Sequence, residues 1–189
     1  MHGFDIIESK DPLKDIVKII EADNLETIGF DNQVSFAYYQ GLQAIFEGYT
    51  LSPQSNFMEE LRMIKDEKEL ATIRKACSIS DRAFTDVLEF IKPGQTTELQ
   101  VANFLDFRMR EYGASGISFE SIIASGYRSA MPHGVASEKV IQSGETLTMD
   151  FGCYYNHYVS DMTRTIHIGD TTDEERETFM ISFYVLIRL

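Results

Sequence analysis

Leu13, Ile16, Val17 and Ile20 recur at helical spacing, which predicts a helix over residues 12–21 with one adhesive face. Strands over residues 4–8 and 27–30 and a second helix over residues 33–46 complete the first stretch. Residues 1–63 are small for an independent αβ domain and read as the remnant of a larger N-terminal one. A longer periodic run follows. Asp66 stands as N-cap with Glu69 placed for a capping box, and Leu70, Ile73, Cys77, Phe84, Val87, Leu88 and Ile91 form the expected buried stripe, ended by Lys92-Pro93-Gly94. Thr97 with Gln100 repeats the capping signal for a helix to about Tyr112, stopped at Gly113. Beyond Gly113 the period changes to strands over residues 117–124, 145–155 and 158–168, and Thr172 with Glu175 opens a last helix. Helix, helix, strands, helix is an α+β order, with helices packed on one face of an antiparallel sheet over residues 64–189.

Composition narrows the function classes. A formal charge of −13, without clustered Lys and Arg, argues against binding to nucleic acid. The acids are spread along the chain, as on a solvated surface. Cys77 and Cys153 form no close pair and read as buried small hydrophobes in a reducing compartment. No apolar run is long enough to span a bilayer and no secretory leader pattern opens the chain, so a cytoplasmic protein with no membrane partner is expected. The closing run Phe183-Tyr184-Val185-Leu186-Ile187 reads as the buried side of a helix cut short.

The candidate chemistry lies in Thr148-Met149-Asp150-Phe151-Gly152 and Val159-Ser160-Asp161-Met162-Thr163-Arg164-Thr165. If the strands turn at Tyr155-Asn156, Asp150 and Asp161 are directly opposed on one sheet face, with Cβ atoms roughly 4.5–5.5 Å apart. Opposed carboxylates repel, so the arrangement calls for bound cations or a shared proton, and hard oxygen donors suit Mn²⁺, Mg²⁺ or Zn²⁺. A solvated polar face whose acids never meet fits the same spacing. His133, in a Pro-His-Gly loop, reads on general grounds as a turn or packed residue before a functional one.

Ser125-Gly126-Tyr127-Arg128-Ser129-Ala130-Met131-Pro132-His133-Gly134, then Met149-Asp150-Phe151-Gly152, then Ser160-Asp161-Met162-Thr163-Arg164-Thr165 resemble the Xaa-Pro peptidase branch of the pita-bread metallopeptidases, the group of prolidase and aminopeptidase P. The resemblance runs from about Ile64 to Glu177. It implies a partial pita-bread fold, with residues 64–189 as the first half of the peptidase domain. It also implies that Asp150 and Asp161 are the first two metal-ligating aspartates and that His133 is the substrate-binding histidine. The cofactors implied are two divalent metal ions, manganese first, with cobalt or zinc as alternatives. Proline-containing dipeptides or peptides are the implied substrates, cleaved at the bond before proline, and the intact protein is expected to be a homodimer.

His157, at the expected turn, and His167, far along the strand from Asp161, are not expected to be ligands, and Arg164 falls on the opposite face from Asp161. In this family a further histidine and two glutamates complete the site from a second half. Glu174, Glu175 and Glu177 could stand in by residue type only, because acids at a helix start favour its dipole. The expectation is therefore a chain truncated relative to the family and inactive by itself. The rival readings are a non-catalytic scaffold of the same fold and a creatinase-like hydrolase that works without metal.

Overall fold

The computed structural model describes residues 6–187, with side chains as far as residue 181. Phe4 and Asp5 of the expected first strand, and the side chains of the closing run from Phe183 to Ile187, lie outside the described residues, and residues 6–10 are not strand. The chain divides into two compact units, Met1–Ile64 and Lys65–Leu189.

In the first unit, helix α1 (Pro12–Ala22) starts on a proline, whose missing N–H costs nothing in the first turn. Strand β1 (Thr27–Asp31), helix α2 (Phe36–Ile45), strand β2 (Thr50–Gln54) and the short helix α3 (Phe57–Met63) follow. The second helix begins later than the expected residue 33 because the Ser35 hydroxyl caps it, accepting from the Tyr38 N–H at 3.2 Å. β1 and β2 pair in parallel from Thr27 opposite Thr50 to Asp31 opposite Gln54. Ile20, Leu42 and Phe46 form the core of this unit. Pro53 inside β2 hides that strand from a propensity reading, since proline is tolerated only where its missing donor is not needed.

The second unit opens with α4 (Glu67–Phe90) and α5 (Glu98–Glu111), both closed at their N-termini by the anticipated capping boxes, Asp66 with Glu69 and Thr97 with Gln100. The buried face of α4 is the anticipated one only in part: Val87 and Ile91 are buried and Phe84 packs on the core, but the rest of the face differs. Ala76, Ile79, Ser80, Ala83 and Val87 face inward, whereas Cys77 and Leu88 are exposed. Small residues let the helix approach the sheet closely, and a reading that favours large apolar side chains misses them. Cys153, by contrast, is buried as expected.

Short strands then alternate with turns: β3 (Gly116–Ile117), β4 (Ile122–Ser125), a 3-10 turn over Gly126–Ala130, β5 (Thr146–Phe151), β6 (Cys153–Tyr155), β7 (Tyr158–Val159) and β8 (Met162–His167). They form two antiparallel sheets, ordered β3-β6-β7 and β4-β5-β8. Each long expected strand is thus broken in two. Gly152 marks one break: a Cβ there would lie 2.0 Å from the Ser160 carbonyl oxygen, so only glycine allows the two chain segments to cross this closely. Ile79, Val87, Val101, Leu105, Met109, Leu147, Met149 and Phe151 are fully buried where α4 and α5 cover the sheets. Helix α6 (Asp173–Ile187) ends the described chain, with Thr172 and Glu175 in the expected capping arrangement.

Candidate metal centre

Along β5 burial alternates, with Leu147, Met149 and Phe151 inside and Thr146, Thr148 and Asp150 on the opposite face. Asp150 does not face Asp161. Its partner on β8 is Thr163, whose hydroxyl donates to Asp150 Oδ1 at 2.9 Å. The expected register fails because the turn is Asn156-His157, one position later than anticipated, with Tyr155 opposite Tyr158. Both turn residues are left-handed, at φ 47° and 70°, as a two-residue hairpin loop matching the strand twist requires. Asp161 lies in the break between β7 and β8, so it belongs to no ladder.

Alternation nevertheless carries through the break. Ser160 and Met162 are buried while Asp161 and Thr163 are exposed, an alternation that puts Asp161 on the side of Thr163. Asp161 thus stands two residues before Thr163, the ladder partner of Asp150. Asp161 is steered by the residue before it. The Ser160 hydroxyl is 2.6 Å from the Ser80 hydroxyl on α4 and accepts the Cys153 N–H at 3.0 Å, and the Ser160 carbonyl accepts the Ser118 hydroxyl at 3.0 Å. Neither Ser80 nor Ser160 was singled out in the sequence, where a serine beside an aspartate carries no distinguishing signal.

His133 is exposed, in the loop that returns beside β4. Val135 bridges to Ile122, Ile122 pairs with Asp150, and Asp150 pairs with Thr163, so one row of backbone partners links the histidine loop to the aspartate strands. The loop lies tight on β4: a Cβ on Gly134 would sit 2.8 Å from Ala124 Cβ. Its two ends meet at Glu98, a fully buried carboxylate at the start of α5. Burial pushes the Glu98 carboxyl up, but hydrogen bonds from Ser137 and Ser125 and the charge of Arg128 outweigh it and hold the group below its usual range. In sequence Glu98 looks like an ordinary acid favouring a helix dipole.

His157 is an exposed turn residue, and His167 sits opposite Thr146, with Nε2 2.9 Å from the Asp170 carbonyl. Arg164 turns toward the helix side, 3.9 Å from Asp81 of α4. Glu175 is committed to its cap: the Thr172 N–H donates to it at 2.8 Å and holds its carboxyl low.

Two carboxylates are thus the donors at hand. Asp150 keeps its second oxygen uncommitted, and the Asp161 carboxylate accepts no hydrogen bond among the described residues. Hard, accessible oxygens of this kind fit a divalent cation as part of a ligand set. Among the described residues no three His, Cys, Asp or Glu side chains converge on one ion.

Comparison with known proteins places these features in context. Residues 71–184 match metallopeptidase family M24, and residues 1–64 match the creatinase/prolidase N-terminal domain. The chain is 38% identical over 158 residues to the Xaa-Pro dipeptidase of Pyrococcus furiosus, covering 84% of this chain and 45% of that protein. It is 40% identical over 185 residues to the Bacillus subtilis peptidase YqhT, covering 97% and 52%. Among solved structures, an Xaa-Pro dipeptidase from Bacillus anthracis superposes with a TM-score of 0.86 at 39% identity, over 93% of this chain and 50% of that one. A prolidase from Pyrococcus horikoshii superposes at 0.80 and 33%, over 95% and 50%. The chain spans about half the length of these relatives. Helices on small antiparallel sheets, in the pita-bread arrangement, are what it shares with them.

Proposed function

Because this chain belongs to metallopeptidase family M24, we propose that it carries part of the active site of an Xaa-Pro dipeptidase, in which Asp150 and Asp161 ligate two divalent metal ions and His133 binds substrate. Family membership implies divalent metal cofactors; manganese, as the identity of the ions, belongs to the proposal. The observation that supports it is that Asp150 is joined by backbone pairing to Thr163, two residues beyond the exposed Asp161, and through Ile122 of β4 to Val135 in the loop of His133. Residues 1–63 are assigned to the N-terminal domain and residues 64–189 to the first half of the peptidase domain, supported by where the two family matches fall.

When bound, divalent ions would supply Lewis acidity, which lets water give up a proton more readily and so become nucleophilic toward a peptide carbonyl, and which offsets the charge that develops on the carbonyl oxygen. Asp150 and Asp161 provide the negative charge that holds such ions, and Thr163 fixes which Asp150 oxygen is free. His133, whose ring makes no hydrogen bond among the described residues, is free to donate one to the amide before proline or to the charged oxygen formed on attack. Proline-containing dipeptides are the proposed substrates, by similarity to the Xaa-Pro dipeptidase of Pyrococcus furiosus. The remaining ligands are assigned to the portion of the relatives that this chain does not span, so no turnover is expected from the chain alone.

Titration calorimetry of the folded chain with Mn²⁺ tests the reading. Binding by the wild type that disappears in Asp150→Ala and in Asp161→Ala is the expected result, and a folded chain that takes up no Mn²⁺ overturns it. Hydrolysis of Ala-Pro by the chain with Mn²⁺ would refute the incompleteness of the site.

A further inference from the structure

We infer that Glu98 is the positioning residue for His133, one carboxylate holding both ends of the loop that presents the histidine. The inference rests on the assignment of His133 to substrate. Glu98 Oε1 accepts the Ser125 N–H at 2.7 Å and the Ser125 hydroxyl at 2.9 Å, at the end of β4 where the loop departs. Oε2 accepts the Ser137 N–H at 3.2 Å and the Ser137 hydroxyl at 2.6 Å, where the loop returns, and Arg128 Nε at 3.1 Å. Arg128 also reaches across the loop and donates from Nη2 to the Val135 carbonyl at 2.7 Å, two residues beyond His133. Lys139 donates to the Ser125 hydroxyl at 2.8 Å and pairs with Glu145 at 2.7 Å, bracing the departing end from its other side.

A buried charge is a poor means of stabilising a core, since an apolar group of similar volume does as well or better. What a carboxylate offers is two oxygens, each able to accept several donors, held in one plane. Here each oxygen serves one end of the loop. Ser125 and Ser137 are thereby brought to a single point, and the intervening chain is closed over β4 with Gly134 against Ala124.

Amide hydrogen exchange on the full metal-free chain tests this. Gly134 N–H donates to the Met131 carbonyl at 3.3 Å and Val135 N–H to the His133 carbonyl at 2.9 Å, so both report on the loop. Leu105 and Met149 report on the core. In Glu98→Gln and in Ser137→Ala, exchange at Gly134 and Val135 is expected to rise about tenfold, by clearly more than at the core amides. Ser137→Thr, which keeps the hydroxyl, is expected to restore protection. If Glu98→Gln does not fold, Ser137→Ala decides. Unchanged exchange in the loop, or an equal rise at Leu105 and Met149, overturns the inference. The measurement uses no metal, so its failure is separate from a failure to bind Mn²⁺.

Discussion

Thr163 stands directly opposite Asp150 on the β5–β8 ladder and donates its hydroxyl to Asp150 Oδ1 at 2.9 Å. A hydrogen bond of this kind does for a ligating carboxylate what the outer partners of metal sites generally do: it orients the group before the ion arrives. Thr163→Val keeps the β-branched shape and removes the donor. Mn²⁺ affinity is expected to fall about tenfold, with the urea midpoint little changed because Thr163 is exposed. Calorimetry on the two proteins decides, and equal affinities would show that the hydroxyl has no part in ordering the site.

Gly152 and Ser160 pass so closely that a methyl group cannot be accommodated without moving one of them. The added Cβ would lie 2.0 Å from the Ser160 carbonyl oxygen and 2.5 Å from the Ser118 hydroxyl oxygen. Ser160 cannot retreat freely, being fixed by Ser80, Cys153 and Ser118. Gly152→Ala is expected to cost about 3 kcal/mol in urea unfolding. A loss under about 0.5 kcal/mol would mean that the crossing is far softer than its geometry implies.

The helices of the second unit were legible because their ends are written in local chemistry. Asp66 with Glu69, Thr97 with Gln100 and Thr172 with Glu175 each bond within four residues, so no tertiary context is needed to read them. The placement of Asp150 and Asp161 was only half legible. Alternation along β5 separates Asp150 from the buried Met149 and Phe151, but register depends on where a turn falls, and Asn156-His157 differs from Tyr155-Asn156 by one residue. The buried stripe of α4 was legible at Val87 and Ile91 and missed at Ala76, Ser80 and Ala83, small residues that allow close approach to the sheet and that hydrophobic ranking does not reward. Glu98 is held by serines 27 and 39 positions away and Ser160 meets Ser80 across 80 positions, and no local pattern announces such contacts.

Ser80 and Ser160 form a buried pair, their hydroxyls 2.6 Å apart and both side chains almost wholly out of solvent. Ser160→Ala leaves the Ser80 hydroxyl and the Cys153 N–H without that partner, and a loss of about 2 kcal/mol is expected. The double variant Ser80→Ala/Ser160→Ala should lose less than the two single variants together, by at least ~0.5 kcal/mol. Additive losses in chemical denaturation would show that the two hydroxyls act independently.

Glu98 also gives the chain a predictable response to acid. Its carboxyl is held below the ordinary glutamate value of 4.5, because the bonds from Ser137 and Ser125 and the charge of Arg128 outweigh its burial. The native state therefore binds this proton more weakly than the unfolded chain does. Stability from the ionised clamp is complete above the unfolded pKa and is lost as pH falls through the depressed native one. Asp86, held low by Tyr112 and Arg108, and Glu145, where burial is outweighed by Lys139 together with bonds from Gln142 and Ser125, add acid sensitivity of the same sign. Comparison with Glu98→Gln separates the terms, since those two carboxylates are unchanged in the variant. Thermal unfolding midpoints followed from about pH 6 to about pH 3 should show wild type above variant at the upper end, with the gap closing as pH drops below the ordinary glutamate range. A gap that stays constant across the titration would mean that Glu98 is not held in its charged form by the fold.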